Sequence, residues 1–173
     1  RLRLDPSDEG MHPLEAASNF NESMYFNVFD PKARLGGWFR LGNRANEGHA
    51  ELTVCIYDAD GTVYFQYQRP KITDNDAFDA GGMRFTVVAP FERLDVSYTG
   101  RVAELRDPSL MADPKRAFAQ SPSHACDVSI RFTGLSPMFG GEPETEDGMP
   151  WMENAGDASG FARGHYEQHV RGE

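Results

Sequence analysis

Apolar and polar residues alternate with a period of two through most of the chain. Residues 48–57 put Ala50, Leu52, Val54 and Ile56 on one face and His49, Glu51, Thr53, Cys55 and Tyr57 on the other. That is the pattern of a strand with one buried side. Asp58-Ala59-Asp60-Gly61 follows, and its Asp-Gly pair supplies the positive φ of a tight hairpin turn. The returning segment 62–69 sets Val63, Phe65, Tyr67 and Arg69 against Tyr64, Gln66 and Gln68. The same period predicts strands over 23–30, 35–43, 83–88, 93–106, 124–135 and 161–170. Gly36-Gly37 inside one of them predicts a bulge or a sharp bend. Helix is confined to a short stretch within 108–120, limited by Pro114, and to a turn or two near 12–17. Helix below about 15%, against the usual ~30–35%, predicts a mainly β fold. Its expected form is an antiparallel lipocalin-like barrel or a strongly curved sheet.

Composition narrows the partners. With 173 residues, 39% of them hydrophobic and 12 of them Phe, the chain can build a core. A net charge of −10 argues against a phosphate backbone or an anionic lipid surface as partner. Six acids (Glu142, Glu144, Glu146, Asp147, Glu153 and Asp157) fall within 134–160, which has no Lys or Arg. The expected organisation is a β-barrel half over 1–133 and an acidic Gly/Pro-rich linker over 134–160. Residues 161–173 then form the first strand of a second, mostly absent half, or a closing strand of the first. No apolar run approaches the ~18 residues of a membrane span. Cys55 and Cys126 have no metal-binding spacing, so free thiols in a cytoplasmic protein are expected.

Chemistry has few candidates. The segment 165–169 would align His165, Glu167 and His169 on one strand face, about 6–7 Å between neighbours. Two imidazoles and a carboxylate can hold a metal, but alternating polar residues on a strand ordinarily face solvent, and no metal is expected. The segments 19–27, 37–44 and 47–49 are denser in amides, carboxylates, Arg and aromatics. Polar groups cost several kcal/mol to bury unpaired, so this density predicts a bonded network or a pocket. Two readings stand side by side: an Arg–Glu cluster bracing the sheet, or a ligand wall of Tyr25, Asn27, Trp38, Arg40 and His49. Trp38 and Arg40 are two apart and share a face, as do Tyr25 and Asn27 on the preceding strand. Aromatic bodies with polar tips suit a hydrophobic small molecule whose orientation must be fixed.

The runs Asn21-Glu-Ser-Met-Tyr-Phe-Asn27, Gly37-Trp-Phe-Arg40, Asn46-Glu-Gly-His49, Asp60-Gly61, Arg69-Pro70 and His165-Tyr-Glu-Gln168 resemble one broad group. It contains carotenoid 1,2-hydratase (hydroxyneurosporene synthase) and the AttH-like proteins, and the resemblance spans nearly the whole chain. It implies two lipocalin-like halves, the second of which would be this chain's partner and begin near His165. It also implies water addition to, or cyclisation of, an isoprenoid, polyene or steroid-like molecule without a cofactor. Such chemistry needs a carboxylic acid kept protonated by desolvation, and aromatic faces for a carbocation. Glu22 and Glu47, the acids best placed near Tyr25 and Trp38, are the candidate catalytic acids. A non-catalytic carrier, or a half-barrel supporting a catalytic half, is the alternative.

Overall fold

The structure is a computed structural model and describes residues 2–140, 142–143 and 166–173. The strands, in chain order, are β1 (Leu2–Arg3), β2 (Glu22–Asp30), β3 (Leu35–Arg44), β4 (His49–Tyr57), β5 (Val63–Gln68), β6 (Asp79–Ala80) and β7 (Met83–Ala89). They continue with β8 (Arg93–Leu105), β9 (Ser123–Gly134), β10 (Phe139–Gly140), β11 (Glu142–Pro143), β12 (Tyr166–Glu167) and β13 (Val170–Gly172). Among the described residues strand accounts for 52% and helix for 13%, so the fold is mainly β and antiparallel, as the alternation predicts. The one α-helix among the described residues is α1 (Pro114–Gln120).

The chain divides into two compact units. The larger comprises Met11–Thr86 and Asp95–Ile130. Its strands follow the order β9-β8-β5-β4-β3-β2. The 13-residue β8 takes β5 along Ala103–Leu105 and β7 nearer its start, where the Thr99 N–H donates to Gly82 O at 2.9 Å. The Phe26 ring of β2 meets the Phe85 ring of β7 at 6.0 Å, so this sheet curls toward closure. Phe39, Leu41, Leu52, Val54, Met83, Val96 and Tyr98 fill its inner face and are 0–2% exposed. Side chains without accessible surface border no void of water size, so packing is tight around these residues, while Met24, Phe26, Val28 and Ile56 on the same face are only half-buried.

The pairing explains why the alternation is so regular. β3 matches β2 from Glu22↔Asn43 to Asp30↔Leu35, and β4 from Gly36↔Tyr57 to Arg44↔His49, without a break. The bulge expected at Gly36-Gly37 is therefore corrected. These glycines give room instead, because a Cβ at Gly36 would stand 2.2 Å from the Tyr57 ring. At the β4–β5 turn Gly61 has φ 89°, as the Asp-Gly pair predicts.

The helical expectations need revision. Residues 108–120 hold a 3-10 turn, Pro108–Ala112, and then α1, each opened by an Asp cap and a proline. Pro114 starts a helix instead of limiting one, because the first turn needs no proline N–H. No helical turn forms at 12–17, and one forms at Pro6–Glu9.

The smaller unit comprises Arg1–Gly10, Val87–Leu94 and Arg131–Glu173. In it β13 pairs with the end of β9, from Val170↔Gly134 to Gly172↔Phe132. Phe91 turns the chain between β7 and β8 at φ 61°, a left-handed conformation costly for a bulky residue. Three bonds hold the surroundings of that turn. The Phe91 N–H donates to the Glu9 carboxylate, Gln168 Nε2 donates to Phe91 O at 2.8 Å, and the Tyr166 hydroxyl donates to Asp8 O at 3.1 Å. In the described part of the strand expected over 161–170, two short strands, β12 and β13, stand on either side of Gln168-His169 and pair with β10 and β9. Residues 161–165, with the candidate ligand His165, and the acidic stretch 144–160 lie outside the described residues. The His169 ring packs edge-on against Phe139 at 5.8 Å.

Candidate functional site

Register puts the odd-numbered residues of β2 beside the even-numbered residues of β3 and the odd-numbered residues of β4. Asn27 stands opposite Trp38 and Cys55; Tyr25 stands opposite Arg40 and Thr53; Arg44 stands opposite His49. All five sequence-predicted binding residues (Tyr25, Asn27, Trp38, Arg40 and His49) thus share one face of three adjacent strands. That face is turned away from the core, since Phe39, Leu41, Ala50, Leu52 and Val54 occupy the other. Further along the sheet α1 covers the same face, stacking Phe118 on Phe65 at 6.0 Å.

The aromatic part of the face is built for contact. The rings of Tyr25 and Trp38 lie 5.7 Å apart at 38°, and Tyr25 is 52% exposed. Phe29 and Tyr57 are exposed on the same face, on either side of Gly36. Burial pushes the Cys55 thiol up, partly offset by a hydrogen bond from Trp38, so Cys55 is a neutral neighbour and not a nucleophile.

Beside the rings lies an ionic cluster. Glu51 Oε2 accepts from Arg40 at 3.4 Å, and Glu51 Oε1 accepts from Arg69 at 3.3 Å and from the Tyr67 hydroxyl at 3.4 Å. Arg69 Nε donates to the Tyr67 oxygen at 2.8 Å and the guanidinium lies over that ring. The bond to Tyr67 and the Glu51 charge raise the Arg69 pKa and keep it a cation. At the strand ends Arg44 grips Glu47 at 2.5 Å, and His49 Nδ1 faces Glu47 O at 3.3 Å. His49 Nε2 is buried without a hydrogen-bond partner.

The two candidate acids part company. Glu47 is pulled below the usual carboxylate range by its Arg44 bond, which opposes the protonated state that acid catalysis requires. It sits at the Arg44–His49 end of the sheet, away from the Tyr25–Trp38 pair. Glu22 stands opposite Asn43, on the inner face. Its carboxylate faces His12 Nδ1 at 2.5 Å and accepts from the His12 N–H at 3.0 Å and from Asn75 Nδ2 at 2.5 Å. Asn43 Nδ2 in turn donates to Asn75 Oδ1 at 3.1 Å and Ala77 O at 2.9 Å, while its buried Oδ1 has no partner. Asn43 is 1% exposed, so this is an interior polar chain, on the opposite side of the sheet from the aromatic face.

Glu51, Tyr67 and Arg69 join the site although the sequence analysis does not nominate them. Their signal is register: once Thr53 is paired with Tyr67, the polar alternation of β5 falls beside that of β4. Asn43, Asn75 and His12 have no such signal, being brought together by a loop. Among the described residues no group of three or more His, Cys, Asp or Glu is arranged to hold a metal ion, and no helix is long and apolar enough to cross a membrane.

A family model described as a domain of unknown function (DUF7064) matches residues 5–173. No curated protein and no solved structure matches the chain significantly.

Proposed function

We propose that this chain, which belongs to the DUF7064 family of unknown function, binds a hydrophobic small molecule on the outer face of β2, β3 and β4. The observation that carries the reading is the Tyr25–Trp38 pair, two large rings on neighbouring strands with Tyr25 half open to solvent. Covering the open half of Tyr25 removes on the order of 100 Å² from water, or roughly 2–3 kcal/mol, and the more buried Trp38 adds a smaller share. Asn27 and Arg40 flank the rings with polar tips that fix how a ligand lies.

Binding without conversion is the version favoured here. Glu22 lies on the other side of the sheet, Glu47 is held ionised, and Glu51 stands between two arginines. Among the described residues, no carboxylic acid poised to protonate an alkene stands against the rings, as a hydratase or cyclase of the resembled group would need. A carrier needs none.

The test is titration with retinol and with a sterol, read by Trp38 fluorescence in a Trp151→Phe background that leaves one indole. Quenching that saturates is the expected result, together with a loss of at least ~1 kcal/mol (about fivefold) in Trp38→Ala, followed there by the fluorescence of bound retinol itself. Affinity that survives in a folded Trp38→Ala/Arg40→Ala variant moves the site elsewhere.

A further inference from the structure

The chain as a whole is strongly acidic, but this face is not. Among the described residues its ionic side chains are Arg40, Arg44, Arg69 and Lys71, the last placed by a backbone bridge to His49, against two carboxylates, Glu47 and Glu51. Arg44 is matched to Glu47 at 2.5 Å. Glu51 alone answers both Arg40 and Arg69, at 3.4 and 3.3 Å. Those distances exceed the ~2.7–2.9 Å of a strong charge-assisted bond, so one carboxylate is shared loosely between two guanidiniums. Among the described residues the Arg40–Arg69–Glu51 group therefore keeps one positive charge beside the aromatic rings, and Lys71 adds a second at the His49 end of the face, in a protein of net charge −10.

Tyr25 stands directly opposite Arg40, so the cationic end and the apolar platform adjoin within one row of the sheet. A guanidinium presents a planar fork that fits a carboxylate or sulfonate with two parallel bonds. Resting on the binding reading above, we infer that the ligand is an anionic amphiphile. Its acidic group is held by Arg40 and Arg69 while its apolar body covers Tyr25 and Trp38. An uncharged polyene or sterol would leave the surplus charge unanswered and bind more weakly.

A matched pair of probes separates charge from apolar contact. The anionic 1-anilinonaphthalene-8-sulfonate and the uncharged N-phenyl-1-naphthylamine differ by one sulfonate, and both brighten on binding. The wild-type chain is expected to prefer the anion by about tenfold at low salt, with the preference shrinking in about 0.5 M salt as the charges are screened. Arg69→Gln, at a side chain 61% exposed, is expected to lower the anion-to-neutral affinity ratio by about fivefold. Arg40→Gln is expected to act alike, and Trp38→Ala to weaken both probes. Far-UV circular dichroism checks each fold, and Arg69→Gln alone decides if Arg40→Gln unfolds. Equal affinity for the two probes in wild type, or a ratio unmoved by Arg69→Gln, overturns the anionic ligand and leaves hydrophobic binding standing. Failure of both probes to bind overturns the binding reading itself.

Discussion

Glu9 holds a carboxylate in a residue only 6% exposed, with the Phe91 N–H as its partner. Burial raises its pKa, and the Phe91 bond only partly offsets this. The folded state therefore binds this proton more tightly than the unfolded chain does. The stability from Glu9 is full below its unfolded pKa and falls as pH rises through the raised value. A glutamine keeps an oxygen for the Phe91 N–H and has nothing to ionise. Glu9→Gln is accordingly expected to melt higher than wild type at pH 7, with the gap closing as pH falls below about 4. Thermal unfolding across pH 3–8 measures it, and a gap that widens toward acid would show that the carboxylate is not the strained species. The left-handed Phe91 it holds was not legible in Pro90-Phe91-Glu92, because tertiary bonding and not local preference keeps φ positive there.

Strands were the most legible elements. Ala50, Leu52, Val54 and Ile56 fall on one side of β4 as the alternation requires, because side-chain period and pleat are the same physical fact. The shared face of Tyr25, Asn27, Trp38, Arg40 and His49 was legible for the same reason. Which side of the sheet it occupies was not, since alternation sorts residues into two faces and leaves the covered face to the rest of the chain. Here the more apolar side took the core, with Glu22 and Asn43 at its end. Loops were opaque: Asn75, in the segment between β5 and β6, joins the strands through Glu22 and Asn43. Removing its amide orphans a donor on Asn43 and uncovers a carboxylate 12% exposed at the side chain. Asn75→Ala is expected to cost about 1–3 kcal/mol, measured by denaturant unfolding. A cost near zero would mean that water replaces the amide at both ends.

At the scale of the whole molecule, the resemblance to lipocalin-like proteins raises the expectation of an internal calyx, and the larger unit argues against one where its core is densest. Leu41, Leu52, Val54, Met83 and Tyr98 have no accessible surface, which an open cavity beside them would give. Gly100 contributes by absence of bulk: its missing Cβ lets the Tyr98 hydroxyl fold over it and donate to Arg101 O at 2.8 Å. Such packing ties β3, β4 and β8 into one cooperative block, and the proposed binding on the outer aromatic face would not require opening it. Hydrogen exchange distinguishes the two designs. With a solid core, the amides of Leu41, Leu52, Val54 and Val96 exchange slowest and only through global unfolding, and those of the Asp58–Gly61 turn exchange fastest. Adding a ligand that docks on the outer face slows exchange around Tyr25 and Trp38 and leaves the order among the core amides unchanged. A calyx would instead let the inner-face amides of β3 and β4 exchange by local opening, with protection rising there when ligand is added.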